Sequence, residues 1–124
     1  MSAVEQPDAR ALAERARARG AYAHVLPGPA PVTKAAAMDA IAAALDFPDW
    51  FGRNLDALYD CLTDLSWLPV GEHVLIWAGS EAFKTADPKA YLAIRGVLSD
   101  AQRALTPNGA RRDSRSLTVQ LTEA

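Results

Sequence analysis

The sequence predicts an α/β fold built on a small three-stranded parallel sheet. Two segments have the strongest strand patterns, a continuous apolar run at 73–79 and a strictly alternating one at 116–122. A shorter candidate lies at 21–26, before a proline-rich loop. Helical patterns separate the three strands, and strands joined by helical crossovers pair in parallel with right-handed connections. The run at 73–79 is typical of a central strand covered on both faces, and 116–122 of a half-buried edge strand.

Good N-cap residues stand directly before the predicted helical segments. Thr33 and Asn54 each stand before apolar residues at helical spacing, and Asp87 with Pro88 opens a third helix. An alanine- and arginine-rich stretch at 8–19 predicts a further helix, whose docking stays open because it holds only one large apolar residue. A polar loop is expected before the last strand, at 106–115.

The length of 124 residues suits a single domain, which we divide into an N-terminal helical extension at 1–20 and the sheet-bearing part at 21–124. Cys61 is the only cysteine, so no intrachain disulfide can form and a reducing compartment is expected. No segment has the apolar core of a signal peptide or the ~20 apolar residues that span a membrane. These features predict a cytoplasmic protein without a membrane partner.

Charge is distributed unevenly along the chain. Residues 46–64 carry five aspartates and Arg53, a local balance of −4 against −2 for the whole chain, and the basic stretches lie near the two ends. A protein that binds nucleic acid should present a basic surface on its ordered elements. The acidic middle therefore argues against nucleic acid as a direct partner.

The segment "GRNLDALYDC" at 52–61 places Asp56 and Asp60 one helical turn apart, and Asp64 follows one turn later. Leucines occupy the opposite face of the same predicted helix. Like charges at this spacing cost a few tenths of a kcal/mol per pair, so this row of three aspartates, the acidic stripe, destabilises the helix that carries it. The acidic stripe therefore either serves a function outside its own helix or is an ordinary solvated face.

Two functional interpretations compete with the solvated face. Asp56 and Asp60 could hold Mg²⁺ in an enzyme, although no histidine, phosphate-binding loop or nucleophile–base pair accompanies them. Alternatively, carboxylates mixed with exposed aromatics such as Trp50, Tyr59 and Trp67 suit a protein partner with a basic cleft. Enzymes that act on RNA have such clefts, and a row of carboxylates can occupy the places of phosphates.

The stretch "FPDWFGRNLDALYDCLTDL" at 47–65 resembles the barstar family, intracellular inhibitors of a secreted microbial ribonuclease. The likeness rests on the aromatic pair, Gly52, the run from Asn54 to Leu58, an aromatic, and the run from Asp60 to Thr63. It implies a barstar-like domain over 21–124 with a parallel sheet in the order 1-2-3. It further implies a non-enzymatic inhibitor that needs no cofactor or metal, binds one ribonuclease one-to-one and is monomeric when free. An immunity protein or antitoxin against another toxin with a basic cleft is the alternative.

The resemblance also implies which residues touch the enzyme. Asp60 stands at the family's central carboxylate, which pairs with phosphate-binding arginines and the catalytic histidine, and Asp56 at a second contacting carboxylate. Trp50 replaces a tyrosine that packs on that histidine, and Tyr59 replaces a tryptophan. The remaining positions of the implied partner-binding set are Gly52, Asn54, Thr63 and, on the later helix, Asp100.

One departure from the family pattern concerns charge. Arg53 stands where a member of the family has an acidic residue, which removes negative charge beside the 47–65 stretch. Cys61 lies on the leucine side of the predicted helix that carries the aspartates. This position predicts a buried free thiol and not a nucleophile.

Overall fold

The computed structural model describes residues 8–105 and 115–122. The polar loop predicted at 106–115 lies outside these residues except for Arg115. The helices and strands follow one another in this order: α1 Ala9–Ala18, β1 Tyr22–Val25, α2 Lys34–Ala44, α3 Leu55–Asp64, β2 Gly71–Trp77, α4 Ser80–Ala86, α5 Pro88–Ala104 and β3 Arg115–Leu121.

The sheet is parallel and has the order β1-β2-β3, which confirms the predicted fold class. β2 lies in the centre, with Tyr22 opposite His73 on one side and Gly71 opposite Arg115 on the other. β2 begins and ends two residues earlier than predicted, because Gly71 already pairs with β3 and Gly79, at φ 70°, turns the chain into α4.

The main core fills one face of the sheet. Leu75 and Trp77 of β2 pack there with residues from α2, α3 and α5, among them Ile41, Leu62 and Ile94, all fully buried. This core anchors α3 by its leucine side, and α3 also packs directly against α5. The acidic side of α3 is thereby left on the surface.

The opposite face of the sheet is covered by α1. Ala13 and Ala16 pack against Val74 and Ile76 in a second, smaller cluster, so β2 is covered on both faces as predicted. Arg19, at the end of α1, donates to Glu72 of β2 over 2.8 Å and lowers the pKa of that carboxyl. α1 and α3 therefore lie on opposite sides of the sheet.

Side-chain caps begin the helices at the predicted residues. Thr33, Asn54 and Asp87 each accept a hydrogen bond from the backbone N–H three residues later, at 3.0, 2.8 and 3.1 Å. Each cap satisfies one of the backbone donors that a helix leaves free at its start. No helix in the described ranges is both long and apolar enough to cross a membrane.

Candidate functional site

The candidate site consists of α3 and the loop at 46–54 that leads into it. Asn54 joins the two, because its Oδ1 accepts from the N–H of Ala57 (2.8 Å) while its Nδ2 donates to the carbonyl of Gly52 (3.3 Å). A side chain at Gly52 would place its Cβ 3.2 Å from that Nδ2. Gly52 thus leaves room for the amide that holds the loop against the helix.

α3 divides sharply into a buried and an exposed side. Leu58, Cys61 and Leu62 are fully buried, whereas Asp56 and Asp60 are exposed. Thr63 is half-buried and donates its hydroxyl to the carbonyl of Tyr59 (2.8 Å). The proton of that hydroxyl is committed to the helix, but its oxygen can still accept a hydrogen bond from a partner.

The carboxylates of α3 are open to a partner. Among the described residues, none forms an ion pair with Asp56 or Asp60. Asp64, one turn further, accepts from the hydroxyl of Ser66 (3.1 Å). Burial chiefly, and then the charges of Asp60 and Asp64, raise the pKa of the Cys61 thiol, which fits the prediction of an inert, buried cysteine.

The aromatic residues around the stripe separate into two groups. Trp50 is 60% exposed and Tyr59 38%, so both offer ring surface for contact. Trp67 was expected to be exposed, and that expectation is wrong: it is half-buried, donates its indole N–H to the carbonyl of Leu45 (2.9 Å) and packs edge-on against Phe47. Phe51 also packs on Phe47 and the main core.

Asp100 is the one predicted site residue outside this segment. It lies on the exposed side of α5 and forms an ion pair with Arg103 of the same helix. Its charge is therefore partly offset within the chain. The other seven predicted residues all lie on the 46–54 loop or on α3.

One ionic contact of the site was not anticipated. Arg53 is 2.9 Å from Asp39 of α2, measured from Nε to Oδ1, and it has a left-handed backbone with φ 51°. The two residues are far apart in the chain and belong to different elements, so the sequence gives no periodic signal for their contact.

The described part of the chain holds no group of three or more histidine, cysteine, aspartate or glutamate side chains placed to bind a metal ion. Asp56 and Asp60 are therefore a pair without a third such ligand among these residues. Two carboxylates on successive turns offer a Mg²⁺ ion few protein ligands, although that ion often keeps several waters.

Comparison with known proteins places this chain in a family. A family model described as "Barstar (barnase inhibitor)" matches residues 22–122, a range that includes all three strands and α2 to α5 but not α1. A protein of Bacillus subtilis (strain 168) named "Putative ribonuclease inhibitor YrdF" is 69% identical over 26 residues. Those residues make up 21% of this chain and 29% of the Bacillus protein. Because the family match extends from the first strand to the last, we conclude that the chain belongs to the Barstar family.

Proposed function

We propose that this protein inhibits a microbial ribonuclease of the barnase type by inserting the 46–54 loop and α3 into the active site of the enzyme. The observation that carries the proposal is the exposed surface of four side chains on one short segment inside the family match: Trp50, Asp56, Tyr59 and Asp60. We call this surface the acidic–aromatic face.

The acidic part of this face suits the chemistry of a ribonuclease active site. Such an enzyme binds a polyanion, so its cleft holds cationic side chains that meet phosphates. Asp56 and Asp60 are separated by one helical turn, and no described residue neutralises them. Opposite charges steer the two proteins together and then form charge-assisted hydrogen bonds in a site that excludes water.

The aromatic part supplies contact area that carboxylates lack. Trp50 and Tyr59 are large, rigid side chains, and such residues dominate the free energy of binding in many interfaces. Half-buried Thr63 and the amide of Asn54 add polar groups beside them. We expect a one-to-one complex that buries about 1,600 Å² in total and blocks the cleft without any chemistry by the inhibitor.

A cytoplasmic location fits this function, because an inhibitor of a secreted ribonuclease protects the cell that makes the enzyme before export.

Asp100 would contact the enzyme at the edge of the interface, where its pairing with Arg103 reduces the expected contribution to affinity.

A competition experiment tests the proposal. Microbial ribonucleases, inactivated at the catalytic base so that RNA stays intact, are loaded with a fluorescent oligonucleotide and titrated with this protein. Displacement of the oligonucleotide from one of the enzymes at equimolar protein is the expected result. Binding without displacement would place the contact outside the active site, and no binding to any enzyme would favour a toxin of another class as the partner.

A further inference from the structure

A single basic residue, Arg53, lies within the acidic range 46–64 that carries the acidic–aromatic face. Arg53 is the only lysine or arginine in residues 46–64, directly before the cap residue Asn54 and three residues before Asp56. An arginine side chain free to move from this position could reach the first turn of α3. There it would offset the carboxylates that the proposed function requires, because opposite charges within about 4–6 Å attract strongly.

The structure instead holds this cation on another helix. The guanidinium Nε of Arg53 is 2.9 Å from Oδ1 of Asp39, which lies in the middle of α2. Arg53 forms no second ion pair with any residue of the described ranges. Its backbone adopts the left-handed conformation just where the loop enters the N-cap of α3.

Stability alone explains this ion pair poorly. The side chains of Arg53 and Asp39 are 65% and 49% exposed, and ion pairs as exposed as this contribute little to folding. The pair carries no net charge, so the carboxylates of Asp56 and Asp60 keep their full effect on an approaching partner.

We propose that Asp39 is a positioning residue for the acidic–aromatic face: it holds Arg53 against α2 and thereby keeps Arg53 from neutralising Asp56 and Asp60. The use of this arrangement in binding rests on the proposed function. The arrangement itself is a property of the free protein and can be measured without a partner.

The first measurement determines the electrostatic potential along α3 in the free protein. Cationic and anionic nitroxide cosolutes are added in turn, and the ratio of their relaxation effects on the α3 amides is recorded by NMR. We compare wild type, Asp39→Ala, Arg53→Ala and the double variant. Glu14→Ala is the matched control, because it breaks a similar exposed ion pair, with Arg10, on the opposite side of the sheet.

Asp39→Ala removes one negative charge in either background, but it releases a cation only where Arg53 is present. We therefore expect its shift toward a less negative potential at Asp56 and Asp60 to be at least about twice as large with Arg53 present as in the Arg53→Ala background. Glu14→Ala should have no effect there. Equal shifts in the two backgrounds would overturn the proposal.

The second measurement uses a ribonuclease that the wild-type protein binds. Asp39→Ala should slow association about two- to fourfold at low ionic strength when Arg53 is present, much less in the Arg53→Ala background, and not at all at high salt. If the effects of Asp39→Ala and Arg53→Ala on the association rate are additive, the positioning role of Asp39 is overturned, while the proposed inhibition of the ribonuclease is not. If the first measurement shows the coupled shift in potential while neither wild type nor any variant binds a ribonuclease, that result would uphold the positioning role and refute the proposed function.

Discussion

His24 of β1 and His73 of β2 form a hydrogen-bonded pair between neighbouring strands. His73 Nε2 is 2.7 Å from the carbonyl of Pro69, which can only accept, so Nε2 donates to it. His24 Nε2 lies 2.8 Å from Nδ1 of His73. The ring of Tyr22 stacks on His73, which is fully buried.

This pair makes the stability of the protein sensitive to mild acid. Burial, and next the neighbouring His73, hold the pKa of His24 below its usual 6.5. The unfolded chain therefore takes up a proton at a higher pH than the folded one, and the free energy of unfolding falls as the pH drops below about 6.5. Urea denaturation of wild type between about pH 7.5 and pH 5 measures this loss.

His24→Gln is the matched control for the acid sensitivity, since it keeps a hydrogen-bond donor but cannot titrate. Its unfolding free energy should change much less over the same interval. The interval stays above the range in which Glu72 titrates, because the pKa of that carboxyl is lowered from 4.5 by Arg19. A wild-type profile as flat as that of the variant would contradict the role given to His24.

At the scale of single residues, sequence pattern located groups whose environment is local. The three cap residues and the buried position of Cys61 follow from spacing along one helix. Trp67 was misplaced because its partner, the carbonyl of Leu45, belongs to a different element. Contacts between elements leave no periodic trace in the sequence.

The N-cap of α3 connects folding with the proposed binding. Asn54→Ala removes the hydrogen bond to Ala57 and also the tie to Gly52, so both the helix start and the loop with Trp50 lose support. We expect a loss of about 1 kcal/mol in the free energy of unfolding, together with weaker binding to the ribonuclease. Denaturation and calorimetric titration of the same sample measure the two effects.

Thr33→Ala provides the comparison for the α3 cap. Thr33 caps α2 by the same kind of hydrogen bond, 3.0 Å long, but holds no part of the acidic–aromatic face. It should reduce stability by a similar amount, about 0.5–2 kcal/mol, and leave affinity nearly unchanged. If the two variants weakened binding equally, the loss of affinity would reflect stability alone.

α1 forms the far side of the protein from the proposed interface. Ala16→Arg places a charge in the fully buried contact with Val74 and Ile76, and we expect it to lower the free energy of unfolding by roughly 1–3 kcal/mol. Exposed Ala18→Arg, on the same helix, should have little effect. Urea denaturation compares the two variants.

Both α1 variants should bind the ribonuclease as wild type does, because α1 and α3 lie on opposite sides of the sheet. This result would support the division of the chain into an extension at 1–20 and an inhibitory part at 21–124. A specific loss of affinity in Ala16→Arg, with the folded population unchanged, would show that the extension takes part in binding.

At the scale of the whole molecule, the charge distribution governs the rate of encounter. The net charge of −2 conceals a balance of −4 over residues 46–64. Association with a basic ribonuclease should therefore slow by about tenfold or more as salt is raised from low to physiological or higher ionic strength, while dissociation changes little. Stopped-flow fluorescence measures both rates, and an association rate that is independent of salt would contradict electrostatic steering.

The overall fold was accessible from the sequence because it depends on patterns along the chain. An apolar central strand, an alternating edge strand and helices between them leave few topologies for a chain of this size. The docking of α1 was not accessible, since alanines give a weak apolar signal even when they are buried. The same holds for the pairing of Asp39 with Arg53, on which the potential of the site depends.

In the proposed function, the acidic–aromatic face occupies the active site of a ribonuclease, with Asp60 as its main anchor. The most direct measurement is a titration of ribonuclease activity with wild type, Asp60→Ala and Asp64→Ala. We expect wild type to abolish activity at one equivalent, and Asp60→Ala to lose several kcal/mol of binding because it leaves a buried cation of the enzyme unpaired. Asp64→Ala should lose less than about 1 kcal/mol, since its carboxylate lies at the edge of the face and accepts from Ser66. Equal losses at the two aspartates, or an Asp60→Ala variant that binds the enzyme as tightly as wild type, would contradict this role of the face.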